Sequence, residues 1–176
     1  YAKERPAADM MTVDWTLPEP TTDYYTDEIM KEEKEPIDDK INSMTLDEKI
    51  GQMIITGFNG SEYNDDMDRL INEYKVGGVI LFARNIEDSN QMIDLTRALQ
   101  ENNNNLPLFI SIDEEGGRVS RLPDDVEKFP SAFTIGLIND QQTAYENGKE
   151  IGYTLKRLGI NLDYAPVLDI YSNENN

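Results

Sequence analysis

The chain has 176 residues, 38% of them hydrophobic, and its 35 acidic against 16 basic side chains give a formal net charge of −19 at pH 7. That charge argues against nucleic acid or an anionic membrane surface as a partner, because both reward basic proteins. No cysteine and no histidine occur, so disulfides, thiol nucleophiles and thiolate zinc sites are excluded, and the usual general base and commonest metal ligand are missing.

Residues 1–37 are rich in Pro, Thr, Asp and Glu and show no sustained period of 2 or 3.6. Such a segment buries too little apolar surface to offset its ordering entropy, so it reads as a tether or poorly ordered tail. Trp15, Leu17 and the tyrosines could dock it as an extended strap. The first residue is Tyr1 rather than Met, which points to an upstream piece removed. A polar tether of this kind suits an extracellular or cell-surface protein, lipid-anchored in some cases, although a cytoplasmic protein would look similar. No apolar run approaches the roughly 18 residues of a membrane-spanning helix.

From residue 38 the pattern changes. A short helix is expected over 38–42, and Thr45 with Glu48 forms a capping box that starts another. Residues 52–58, QMIITGF, suit a first strand, although the preceding helix could run into them. The spacing of Met67, Leu70, Ile71 and Tyr74 predicts a helix over 61–74. VGGVILF, residues 76–82, suits a buried second strand, and Ser89 is read as the cap of a helix carrying Met92, Ile93, Leu95, Ala98 and Leu99 on one side. Leu108, Phe109, Ile110 and Ile112 make a third strand. A charged loop and a Phe129-Pro130 turn follow. A long helix over 141–158 is closed by Gly159, and residues 161–170 form a fourth strand.

Strands and helices in alternation with short connections indicate a parallel α/β sheet wrapped by helices. Two architectures compete, an open doubly wound sheet and a (β/α)8 TIM-type barrel. Neither the G-x-G-x-x-G dinucleotide fingerprint nor a phosphate loop is present. The four βα units of residues 38–176 occupy about half of the roughly 250 residues a barrel takes, so the chain looks like the first, truncated half of one.

The densest chemistry lies in residues 108–121, LFISIDEEGGRVSR. An apolar strand stops at Asp113, placing that acid at the carboxyl end where parallel α/β proteins bind ligands. Gly116 and Gly117 let the chain turn tightly there. Arg118 and Arg121 follow. The same pattern also serves a solvated loop ordered by ion pairs.

Four stretches in this order, TLDEKIGQM, GGVILFARN, IDEEGGRVSRL and NLDYAPVLD, resemble the N-terminal catalytic barrel of glycoside hydrolase family 3. IDEEGGRVSRL is the specific one. Within that family they look most like the bacterial β-N-acetylhexosaminidases, which remove terminal N-acetylglucosamine from peptidoglycan fragments and related glycans.

The resemblance implies that Asp113 binds hydroxyls of the terminal sugar and that Arg121 contacts the same sugar. It makes Arg84 and Asn85, after the second strand, braces of the site, with a loop-ordering role the alternative. Glu114, Glu115 and Arg118 would support it and Asp169 would share its rim, while Asp163, mid-strand, reads as a core or structurally paired residue. The family's aspartate nucleophile and the histidine acid/base of the hexosaminidase branch lie beyond the fourth strand, so no catalytic residue is expected in this chain, which would be inactive alone. The expected substrate is a β-linked glycan, the mechanism retaining, with no metal or organic cofactor, and the remainder of the barrel would be the partner of a fragment. Rival readings are a β-glucosidase or xylosidase of the same family and a non-catalytic glycan-binding surface protein.

Overall fold

The computed structural model describes residues 37–168. The tail expected over 1–37, residue 37 excepted, lies outside them, as do Asp169 and the end of the expected fourth strand. The chain divides into two units, Tyr1–Asn42 and Ser43–Asn176. Helix α1 (Ile37–Ser43) crosses that boundary with every residue exposed.

Helix α2 (Leu46–Gln52) starts at the capping box the sequence predicts. The Thr45 hydroxyl accepts the Glu48 amide at 3.3 Å while Glu48 Oε2 accepts the Thr45 amide at 2.8 Å, which satisfies donors a first turn otherwise leaves orphaned. The helix takes up Gln52, so strand β1 is only Ile55–Gly57.

The helix expected over 61–74 begins later. Asn64 Oδ1 accepts the amides of Asp66 and Met67, and this cap sets the start of α3 (Asp65–Asp68), which widens to π pitch over Arg69–Glu73. The buried faces of both pieces, Met67 and Ile71, keep the predicted register. Strand β2 (Gly78–Ile80) leads to α4 (Ser89–Glu101). The cap of α4 is Asp88, which accepts the Gln91 amide at 2.9 Å, and not Ser89. Ser89 is the first helical residue and gives its amide and hydroxyl to Asp125.

Strand β3 (Phe109–Ile112) is central. Ile110 and Ile112 are fully buried, worth about 3–6 kcal/mol together relative to exposure. Beyond the Phe129-Pro130 turn, Ser131 caps a short helix that periodicity does not reveal, α5 (Ala132–Ile138). Helix α6 (Gln141–Arg157) ends at Gly159, whose φ of +83° is the left-handed conformation expected of a helix-closing glycine. Strand β4 is Leu162–Asp163. It is shorter than the expected run over 161–170.

All four strands are parallel, in the order β1-β2-β3-β4. Each connection therefore steps one strand in the same direction. Right-handed crossovers then put the helices that connect the strands on one face. A doubly wound sheet must instead reverse its order at a switch point. Val79, Leu81, Ile110 and Ile112 form one cluster with Met67, Ile71, Met92, Leu95, Leu99, Leu155 and Leu158 from the helices. The opposite face carries Gly57, Gly78 and Ser111, with Phe109 at its base 54% exposed. The architecture is α/β: four parallel strands, with helices following the first three among the described residues, as in part of a (β/α)8 barrel.

Candidate functional site

The carboxyl ends of β1, β2 and β3 face the same way because the strands are parallel, and the loops that leave them carry the candidate residues. β3 is pinned on both sides. Ser111 Oγ donates to Val79 O at 2.9 Å, and Leu81 N to Ser111 O at 2.8 Å. On the other side Asn161 does the work: its Oδ1 accepts the Ile110 amide at 2.8 Å and its Nδ2 donates to Leu108 O at 2.9 Å. Asp113 leaves this rigid strand as its next residue.

The loop then doubles back on itself. Glu115 N donates to Val119 O at 2.9 Å, and Gly116 pairs with Val119 in a single antiparallel bridge. Gly116 and Gly117 both have left-handed φ, +72° and +61°. A Cβ on Gly116 would lie 2.3 Å from Pro130 O, so glycine is required both by the dihedral and by the space.

Glu114 is buried inside this turn, with no exposed surface. Its Oε1 accepts the Gly116 amide at 3.2 Å, and its Oε2 accepts the Ser120 hydroxyl and Arg121 amide at 2.9 Å each and the Leu122 amide at 3.3 Å. Its own amide donates to Asp163 Oδ1 at 2.9 Å. Asp163 is thus a pairing residue. Burial raises its pKa, opposed by the Glu114 amide and reinforced by the negative charges of Glu114, Asp113 and Glu115. The far part of the loop is held by Lys128 Nζ, which donates to Leu122 O and Pro123 O.

Asp113 and Arg121 are both half-buried, on the two arms of the turn. Neither side chain has a hydrogen-bond or ion-pair partner among the described residues. Arg118 is exposed. The supporting role expected of Glu114, Glu115 and Arg118 together thus falls on Glu114, with Glu115 contributing its amide.

The second loop, Ala83–Asn85, makes one 3-10 turn after β2. Asn85 is buried, with its Oδ1 accepting the Phe82 amide at 3.0 Å and its Nδ2 donating to Phe58 O and Gly60 O at 3.2 and 2.8 Å. Arg84 Nε donates to Phe58 O at 3.0 Å, and its guanidinium stacks on Phe82, 4.6 Å from the ring centre. Both residues tie the loop after β1 to the loop after β2. These bonds give both residues the loop-ordering role that the sequence held as the alternative to bracing the site; the sequence did not single out Gln91, whose Nε2 donates to Asn85 O at 3.1 Å.

The arrangement offers a carboxylate and a guanidinium at a barrel mouth, on a loop closed by bonds to Glu114 and Val119. A pair of this kind is chemically able to hydrogen-bond a neutral polyol with charge assistance. Among the described residues no group of three or more acids is arranged to hold a metal.

Comparison with known proteins gives the same direction. Residues 45–176 match the model of the glycosyl hydrolase family 3 N terminal domain. A beta-hexosaminidase A from Pseudoalteromonas piscicida is 41% identical over 119 residues, 63% of this chain and 20% of that protein. A beta-hexosaminidase from Nitrosomonas eutropha is 40% identical over 101 residues, 54% of this chain and 29% of that protein. Among solved structures, a glycoside hydrolase family 3 beta-N-acetylglucosaminidase from Paenibacillus sp. superposes with a TM-score of 0.72 at 44% identity, covering 74% of this chain and 26% of that one. The chain thus spans about a fifth to a third of the length of these relatives. The parallel singly wound sheet agrees with a barrel, and the match over residues 45–176 shows that the chain belongs to glycoside hydrolase family 3, as part of its N-terminal domain.

Proposed function

We propose that this chain supplies the sugar-holding part of a retaining β-N-acetylhexosaminidase that releases terminal N-acetylglucosamine from β-linked glycans such as peptidoglycan fragments. The observation that carries the reading is the loop after β3, which presents Asp113 and Arg121 with side chains unengaged among the described residues, on a backbone that Glu114 locks. The names of the relatives support the sugar, and the parallel half-barrel supports the place.

In this reading the Asp113 carboxylate accepts from hydroxyls of the terminal sugar while the Arg121 guanidinium donates to the same ring. The two groups hold the ring at the barrel mouth, a contribution to substrate binding that is felt in KM. Retaining hydrolysis also needs a nucleophile on one face of the ring and an acid/base near the leaving oxygen. We assign both to the remainder of the barrel, outside residues 1–176. That remainder is the partner of this half, and a groove of about 400 Å³ between α6 and β4, lined by Gly152, Leu155, Ile160 and Leu162 among others, is where the next βα unit would pack. The acidic segment before residue 38 supports placement outside the cell or on its surface.

The test is hydrolysis of a chromogenic β-N-acetylglucosaminide by the full-length protein and by residues 1–176. Turnover by the longer protein alone is the expected result. Turnover of a β-glucoside or β-xyloside in its place, or binding of N-acetylglucosamine with no turnover, would overturn it.

A further inference from the structure

Glu114 is the only charged side chain buried in the core among the described residues, and the sugar-binding reading uses its neighbours rather than Glu114 itself. Four donors converge on its two oxygens: the amides of Gly116, Arg121 and Leu122 and the hydroxyl of Ser120. The bond to Gly116 is local. The other three reach six to eight residues along the chain and close the turn, so that the residue after Asp113 holds the backbone of Arg121. On its other side Glu114 is anchored to β4 through Asp163.

We propose that Glu114 is the positioning residue of the sugar site, the one carboxylate that sets where Arg121 lies relative to Asp113. This rests on the sugar-binding reading of those two residues given above. The chemistry requires an acceptor-only group with two oxygens, because every partner is a donor. Glutamine at the same place keeps the shape, yet it turns one oxygen into an NH2 that faces an N–H. The backbone must then shift at Gly116 or at residues 120–122, and Arg121 moves with it. Ser120 offers a smaller perturbation, since Ser120→Ala deletes one of the four bonds and leaves the carboxylate in place.

A merely structural carboxylate and a positioning one give different kinetics. Loss of fold lowers the concentration of competent enzyme, so kcat falls while KM stays. Displacement of a sugar contact weakens substrate binding, so KM rises while the surviving enzyme turns over normally. The experiment is steady-state kinetics of the full-length protein on a chromogenic β-N-acetylglucosaminide, with Glu114→Gln, Ser120→Ala and Asp113→Ala, each checked by circular dichroism. Weakening one charge-assisted sugar contact loosens ground state and transition state alike, so Glu114→Gln should raise KM about tenfold and Ser120→Ala about threefold, with kcat within about twofold. An unchanged KM in folded Glu114→Gln overturns the proposal and leaves the sugar site standing. If Glu114→Gln does not fold, Ser120→Ala decides in its place, and an unchanged KM there overturns the proposal equally. An unchanged KM in Asp113→Ala sinks the sugar-site reading itself, and the positioning role with it.

Discussion

The amide of Glu114 donates to Asp163 Oδ1 at 2.9 Å, tying the loop after β3 to the last described strand. The acceptor is a carboxylate that folding makes harder to ionise, chiefly through burial and then through the charges of Glu114, Asp113 and Glu115. An acid with a raised folded pKa binds more protons folded than unfolded just above its ordinary value of 3.8. Stability from this group is therefore lost as pH rises through that window. Asp163→Asn keeps an oxygen for the Glu114 amide and removes the titration. The variant should gain on the wild type as pH rises from about 4 to about 7, read as the difference in melting temperature between the two. A difference that stays constant across that range would contradict the assignment.

Asp113 and Arg121 carry the proposed sugar contacts. Each charge-assisted bond is worth about 1.5–3 kcal/mol, so Asp113→Ala or Arg121→Ala in the full-length protein should weaken N-acetylglucosamine binding at least about tenfold by calorimetry. Arg121→Lys keeps the charge but loses the planar fork, and should recover only part of the affinity. A loss smaller than tenfold for Asp113→Ala would remove the central assignment.

Two glycine substitutions should move stability in opposite directions. Gly116→Ala places a methyl group 2.3 Å from Pro130 O at a φ of +72°, and the left-handed conformation alone costs about 1–2 kcal/mol. Gly148 lies inside α6, where an added Cβ meets nothing within 4 Å, so Gly148→Ala should stabilise by about 0.5–1 kcal/mol. Urea denaturation of both variants, side by side, checks the pair.

The first turn of α2 should contribute to the acid limb of stability. The Lys75 ammonium at 2.7 Å, then the Thr45 amide and hydroxyl, hold the Glu48 carboxyl down to about 2 from 4.5. A lowered folded pKa means the contribution is present above pH 4.5 and is lost as pH falls toward 2. Glu48→Gln should flatten the melting-temperature profile in that window and leave its shape above pH 6 unchanged. Thr45→Ala removes the cap and should cost about 1 kcal/mol at neutral pH.

Reading from sequence succeeded where the signal is local. The Thr45–Glu48 box, the buried faces of α3, α4 and β3, and the glycine after α6 each depend on residues within a few positions of one another. It faltered at element ends. Asp88 took the cap read at Ser89 because Ser89 is drawn to Asp125, 36 residues away. The helix α5 has no buried residue, so no periodic apolar face announces it. The long fourth strand shrank to Leu162–Asp163.

The sequence by itself determined the alternation of parallel strands and helices, the place of Asp113 at a strand's end, and the need for glycine after it, since these follow from side-chain period and backbone sterics. The barrel was already implied by chain length and by the family resemblance, but the strand order β1-β2-β3-β4 itself is shown only by the tertiary structure, because it is set by pairing between distant segments. The tertiary structure alone made Glu114 a buried clamp and not a solvated acid. Burial is a property of what packs around a residue, and here that is Ser120, Arg121 and Leu122 returning along the loop and Asp163 arriving from 49 residues away.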